Sequence, residues 1–491
     1  MHNRLTELLQ KLSTGEMSRL DKFVRSPYFN SQDQLTSLWA FYNKHHPDFS
    51  KTKFNDAEAY KQLFDKPAKK DNKRLNRLNS ELYKLVEQFI SVRELESDKF
   101  TADALLLDFF DREGLSEHSL SLHQRLRKQL AEHPQGEALF FNQLALEKAW
   151  WAFQAKRDKR TGDVNLQAYN EALDTHFLVQ KLKLLALMIN RRQVVHTDYE
   201  LSWMENAIAH AQEEKYREVP TIQLYLYVLQ LQLYPTEKKY YHGLKYLLKK
   251  WSGLFLQEEL RTFFGYLTNA VKYHITPEDY TKELFNLYRQ QLDLGILHHN
   301  QQLAHSTYRN VASVALDLGE FAWAESFIEN NRHCIMPEAY SEDAYLLNMA
   351  SLHYHQGQLD QAQLILAQLN PSDIYYKLVQ RSLQCHLFYE QKELLLLSKF
   401  LASFAKYVHD QQDKIAASKI TSYRHFINYL NALIKIIMDT ESSWTAFSND
   451  QPISNANLQE DLLRLQEKIE AEPLFYYKSG LLDKLIKLKG Q

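Results

Sequence analysis

Glycine and proline are the scarce residues of this chain: twelve and eleven in 491, under half of the combined share of about 12% typical of proteins. No two glycines lie closer than ten residues apart, the nearest pairs being Gly243 with Gly253 and Gly480 with Gly490. A phosphate-cradling loop, a dinucleotide fingerprint and a nucleophile elbow each need glycines within a few residues of one another. All three are excluded in their usual form. Cysteine is scarcer still. Cys334 and Cys385 are the only two, too far apart for a Cys-x-x-Cys pair and too few for a disulfide framework. Both are expected as small apolar residues in a protein of the reducing cytoplasm. No run of eighteen apolar residues exists; the richest stretch, Leu182 to Ile189, contains Lys183 and closes at Asn190 and Arg191. No membrane partner is therefore expected. The opening Met1–Leu9 interleaves acids and bases with leucines, unlike the apolar core of a secretory signal. Excess charge of one sign is missing too: 59 Lys+Arg face 61 Asp+Glu.

What is present reads at helical period. Leu75, Leu78, Leu82, Leu85, Phe89 and Val92 are spaced 3, 4, 3, 4 and 3, one apolar seam along a helix. Ser13 to Glu16 has capping-box spacing ahead of Met17, Leu20, Phe23 and Val24. Thr276-Pro277-Glu278-Asp279 supplies a hydroxyl for free amides, a proline where no amide is needed, and acids for the positive helix end. Strand signals are absent: there is no Asn-Gly, Asp-Gly or Gly-Gly turn. The 29 Tyr, 26 Phe and 7 Trp recur at helical spacing and are expected between packed helices. The predicted class is all-α, built of short antiparallel helical hairpins.

Repetition is clearest between about 305 and 405. Leu318-Gly319-Glu320-Phe321-Ala322-Trp323-Ala324-Glu325 resembles the turn of a tetratricopeptide repeat. Tyr308, Val311, Ala312 and Ala315 stand where the first helix of that repeat carries its packing residues, and Phe321, Ala324 and Ile328 where the second does. Gly357, 38 residues on, brings Leu346, Met349, Ala350, Leu359, Ala362 and Leu366 into matching places, with Asn370-Pro371 closing the unit. A third, degenerate copy is placed at Gln391: Leu383, Leu387, Leu396 and Phe400 fit, while Gln384 and Glu393 replace the small and aromatic residues. The resemblance implies an α-solenoid, a right-handed superhelix of stacked hairpins.

The remaining organisation is predicted as follows. Residues 1–97 form a distinct N-terminal helical bundle, 98–300 a helical-hairpin array without clear signature, 301–440 the tetratricopeptide-like repeats, and 441–491 C-terminal capping helices. The layout also resembles a group of all-helical bacterial proteins that open with a segment like Ser26-Pro27-Tyr28-Phe29-Asn30. That likeness implies no activity.

Candidate chemistry is thin. Twenty histidines include the adjacent pairs His45-His46 and His298-His299, but neighbours on a helix point about 100° apart and cannot share a metal. Paired acids such as Glu213-Glu214 and Glu258-Glu259 suit polar helix faces. Neither catalysis nor a cofactor or metal is expected. One local excess of cations runs from Lys66 to Lys84. There Lys69, Lys70, Lys73, Arg74, Arg77 and Lys84 form a candidate basic face for phosphates, with Lys73, Arg74, Arg77 and Lys84 lying off the leucine seam of the helix. The tetratricopeptide resemblance implies a concave groove lined here by Arg309, Ser313, Leu316, Asp317, Leu347, Ser351, Tyr354, His355, Arg381, Phe388 and Tyr389. That mix suits a protein or peptide partner. The family's Lys/Asn carboxylate clamp is not matched. The expected function is a non-catalytic cytoplasmic scaffold or adaptor; the alternative is a regulator touching nucleic acid through the basic face of 66–84.

Overall fold

A computed structural model describes residues 3–49, 54–64, 73–157, 165–195, 198–275, 277–438, 456–473 and 475–489. The predicted cap at Thr276, the polar stretch Ser448 to Pro452, and Lys66, Lys69 and Lys70 lie outside them. The described chain is all-α: 23 α-helices, with two-residue parallel strands at Leu303–Ala304 and Ile335–Met336. None of these helices is long and apolar enough to cross a membrane. The chain divides into two compact units, 1–180 and 181–491.

The first unit holds α1 (Arg4–Leu9), α2 (Thr14–Val24), α3 (Asp33–His45), α4 (Asp56–Phe64), α5 (Lys73–Ser97), α6 (Lys99–Arg112), α7 (Ser116–Ala131), α8 (Glu137–Arg157) and the start of α9 (Leu166–Val195). Its amino-terminal core packs Leu20, Leu38, Trp39 and Tyr42 against the α5 seam, where Leu75, Leu78, Leu82, Leu85 and Phe89 are all buried. Burying these side chains stabilises the bundle by about 2 kcal/mol each. The capping box forms as spaced: the Glu16 N–H donates to Ser13 Oγ, and the Ser13 N–H to the Glu16 carboxylate. The Ser26–Asn30 segment is a turn with a structural job. Phe29 stacks on Phe23 with ring centres 4.0 Å apart, and the Asn30 amide donates to the Val24 carbonyl. A separate cluster, Phe100, Leu107, Leu122, Leu126 and Leu146, serves α6 to α8.

The second unit continues with α10 (Met204–Ala211), α11 (Pro220–Leu233), α12 (Lys238–Trp251), α13 (Gln257–His274), α14 (Pro277–Asp293), α15 (His305–Asp317), α16 (Phe321–Asn331), α17 (Ser341–His355), α18 (Leu359–Gln368), α19 (Ile374–Glu390), α20 (Leu394–Asp410), α21 (Ala417–Met438), α22 (Ala456–Ala471) and α23 (Lys478–Lys489). From α11 onward each helix packs on the next. At α11–α13, α15–α17, α17–α19 and α21–α23 a helix also reaches the next but one. One core runs from Leu378 through α20 and α21 into α22 and α23, so it is continuous across the 440/441 division read from composition.

Four hairpin turns share one backbone. Gly114, Gly319 and Gly357 are left-handed, at φ 70°, 77° and 76°, and so is Lys392, at φ 62°. The residue that follows closes each turn by donating its N–H five residues back. Glu320 reaches the Ala315 carbonyl at 3.0 Å, Gln358 that of His353 at 2.8 Å, and Glu393 that of Phe388 at 2.9 Å. In this helix-ending motif glycine is favoured because a Cβ is penalised at positive φ. The α19–α20 turn forms without one. Its left-handed residue is Lys392, one beyond the Gln391 that the spacing suggests, and the register of the third hairpin moves with it. Leu394, Leu397 and Leu401 are buried at the places equivalent to Phe321, which is half-buried, and to the buried Ala324 and Ile328. Leu396 is turned outward at 45% exposure and Phe400 is half-buried.

Candidate functional site

The residues assigned to a groove lie on α15, α17 and α19, and they divide into three kinds. Leu316, Leu347, Phe388 and Tyr389 are buried in helix packing. An apolar side chain on a first helix is drawn into the seam with its own hairpin partner or the next helix, so these four present no free surface. Ser313 and Asp317 on α15 are exposed. Arg309, Ser351, Tyr354, His355 and Arg381 are engaged by the chain itself. The Arg309 guanidinium stands 5.9 Å from the Tyr376 ring centre. Arg381 lies over Tyr407 at 4.8 Å and Phe400 at 5.6 Å on α20, which draws it toward its own hairpin partner. The Ser351 hydroxyl donates to the Leu347 carbonyl.

His355 connects two first helices. Its Nδ1 bonds the Ser351 carbonyl at 2.8 Å, and its Nε2 lies 3.6 Å from Asp317 Oδ1. Burial would lower its pKa, but the Asp317 carboxylate and the Ser351 carbonyl outweigh burial and raise it.

The densest constellation lies where α17, α19 and α21 converge, and most of it escaped sequence reasoning. His386 is buried with no partner at Nε2. Its ring is 3.9 Å from that of Tyr477, 5.4 Å from Phe426 and 6.0 Å from Tyr354. Desolvation, with Lys484 and His355 adding like charge, holds its pKa well below the ordinary histidine value. Burial pushes the Tyr477 pKa up to about 12, and the Tyr354 hydroxyl lies close enough to act on it. Tyr476 donates its backbone N–H to Ser422 Oγ at 2.7 Å and stacks on Tyr423. Lys484 on α23 is buried; it forms an ion pair with Glu390 and stands 4.0 Å from the Tyr389 ring centre. The sequence signal was the triplet Phe475-Tyr476-Tyr477, but its partners lie 50 to 120 residues away and no local spacing links them.

The basic face is displayed on α5 as far as it is described. Lys73, Arg74, Arg77 and Lys84 are exposed, off the buried seam. Arg77 pairs with Glu81 at 2.8 Å, and Arg74 covers the Phe64 ring at 4.2 Å. Elsewhere, a cleft of about 370 Å³ lined by Lys238, His242, Asp279, Lys282 and Glu283 holds mixed charge. There the Tyr241 hydroxyl donates to Glu283, which also pairs with Lys245. Of the two cysteines, Cys385 is buried, with its thiol pKa raised by desolvation, and Cys334 is half-buried. Among the described residues no three His, Cys, Asp or Glu side chains gather as a metal site. No protein-family model matches the chain, and no curated protein matches it either.

Proposed function

We propose that α15 to α21 act as a tetratricopeptide-like solenoid in a non-catalytic cytoplasmic scaffold or adaptor, whose first-helix face holds an extended protein or peptide partner. One observation carries this reading. The first helices of successive hairpins bring Tyr354, His386 and Phe426 together, and a stretch of polypeptide, Tyr476-Tyr477, is seated across all three. A face that accommodates one aromatic segment has the shape and chemistry to accept another. The recurrence of one turn at Gly319, Gly357 and Lys392 supports the stacked arrangement. The exposed Ser313, beside Asp317 in its pair with His355, marks where a partner has access.

The test is affinity capture with the intact chain beside Ser313→Arg combined with Asp317→Arg, two exposed sites whose replacement leaves the core alone. The expected outcome is a specific protein retained by the natural sequence and lost from the variant, with unchanged circular dichroism. An identical set of captured proteins removes the groove reading. The nucleic-acid alternative rests on four exposed cations of α5, among them Arg77 in its pair with Glu81. It requires heparin retention at low salt that disappears in Lys73→Glu with Lys84→Glu.

A further inference from the structure

The path of the chain after α21 departs from the rule the preceding helices follow. From α11 to α22 the extensive packing is between helices one or two places apart, with a longer reach where His305 and Arg309 on α15 meet Tyr376 on α19. The segment beginning at Phe475 instead turns back. Tyr477 comes near Tyr354 on α17, the Tyr476 ring lies 6.4 Å from that of His386 on α19, and Lys484 reaches Glu390 on the same helix. These partners precede it by about 90 to 120 residues. The local backbone is shaped for this turn: Tyr477 is left-handed, at φ 59°. A Cβ on Gly480 would run into the Tyr477 ring, so only glycine there lets the ring lie where it meets His386.

The seat is also unlike an ordinary core. Next to the Tyr477 ring is a buried histidine with an unpartnered ring nitrogen. Beyond it a buried lysine is matched to Glu390, whose side chain is 40% exposed. Polar groups of this kind define orientation more than they add stability, because ordinary apolar side chains would pack at least as well. They are features of recognition: an aromatic box for two rings, and an anion for a cation seven residues further on.

We infer that Phe475–Lys489 is an internal ligand of the first-helix face, a detachable plug that occupies the seat formed by Tyr354, His386, Phe426 and Glu390. The inference rests on the reading of that face as a binding surface. It adds the chemistry of what the face accepts: a helix led by two adjacent aromatics with a lysine at the seventh position after the second. A partner with that pattern competes with the chain's own segment, so the seat is closed until the segment leaves.

Two measurements on the full chain test this. Amide hydrogen exchange is compared between the natural sequence, Glu390→Lys, and Glu390→Lys combined with Lys484→Glu. A plug exchanges at least tenfold faster over 478–489 in the single variant, with 456–471 unchanged, and the double variant restores protection. Acceleration of α21, α22 and α23 together would mean one cooperative core, and the inference would fall; no acceleration in the single variant would sink it equally. In the second measurement, a fluorescent peptide of residues 473–491 is titrated into the natural chain and into Tyr477→Ala. Saturable binding to the variant, at least tenfold weaker in the natural chain, is the expected result. Equal binding, or none to the variant, overturns the plug. Neither measurement needs a foreign partner, so a failed capture experiment retires the scaffold reading without deciding this one.

Discussion

Two hairpins, α15–α16 and α17–α18, and the one that follows, α19–α20, share a turn but differ in nearly everything around it. The first two carry glycine at the left-handed position and alanine at the tightest helix–helix approach, Ala324 and Ala362, both fully buried. The third carries Lys392 and Leu397 in those places. The first-helix face is open at Ser313 and Asp317 on α15, and covered at His386 on α19 by the aromatic lead of α23. The difference teaches that turn geometry follows from the hydrogen bonds that end a helix. The repeat signature, by contrast, reports only how closely the two helices approach. Where a leucine, Leu397, stands in place of the alanine, the signature goes and the hairpin stays.

The hardest test of that comparison removes the spacer. Leu397→Ala leaves a cavity in a core that α19 to α23 share, and is expected to cost about 2–5 kcal/mol. Ala362→Leu overpacks the close approach in the second hairpin and should cost about 1–3 kcal/mol. Chemical denaturation of both variants checks this. If Leu397→Ala were tolerated as an ordinary surface change, the equivalence of Leu397 with Ala324 and Ala362 would be lost.

Acidity sharpens the contrast between covered and open faces. The His386 pKa is depressed in the folded state, so the unfolded chain binds a proton first as pH falls below about 6.5. Stability from its neutral burial is complete above that pH and declines below it, by at most about 1.4 kcal/mol per pH unit. The groups around the ring are Tyr354 and His355 of α17, Glu390 of α19, Lys484 of α23, and Tyr476 with Tyr477; the two cations oppose a third positive charge. His386→Phe should flatten the acid limb of a melting-temperature profile between pH 5 and 7, and an unchanged limb would assign the sensitivity elsewhere.

A smaller effect separates the turns. Gly357→Ala places a Cβ at φ 76° and should cost about 1–2 kcal/mol. Lys392→Gly relieves that penalty but loosens the unfolded chain, leaving a gain of about 0.5 kcal/mol. Opposite signs in urea midpoints establish that the two turns are one conformation filled by different residues. Equal signs would separate them.

The legibility of this molecule follows the range of the physics involved. Capping at Ser13 and the α5 seam depend on neighbours within one turn, and both could be read directly from spacing. The all-α class was legible for the same reason. The third hairpin was off by one residue because the reading looked for glycine or its substitute, while the backbone needed only a residue able to take a positive φ. The residues assigned to a groove fall on three helices as spaced, but Leu347 and Phe388 could not be told from surface residues, since burial depends on what packs above them. The contact of Tyr477 with His386 spans 91 positions, and no periodicity encodes it.

The finest test concerns the open face. His355 and Asp317 join α17 to α15 at 3.6 Å, with side-chain exposures of 31% and 55%. Their attraction is therefore screened by solvent, to a few tenths of a kcal/mol. The sign is opposite to that of His386: the His355 pKa is raised, so the pair contributes fully below about pH 6.5 and is lost as pH rises through the folded value. Asp317→Asn should then cost slightly at pH 5.5 and nothing at pH 8, and should lower the His355 titration midpoint followed by its ring proton resonance. A cost that is equal at both pH values would mean that Asp317 acts through packing or hydrogen bonding alone. The open face would then lack the charged clasp that distinguishes it from the covered one.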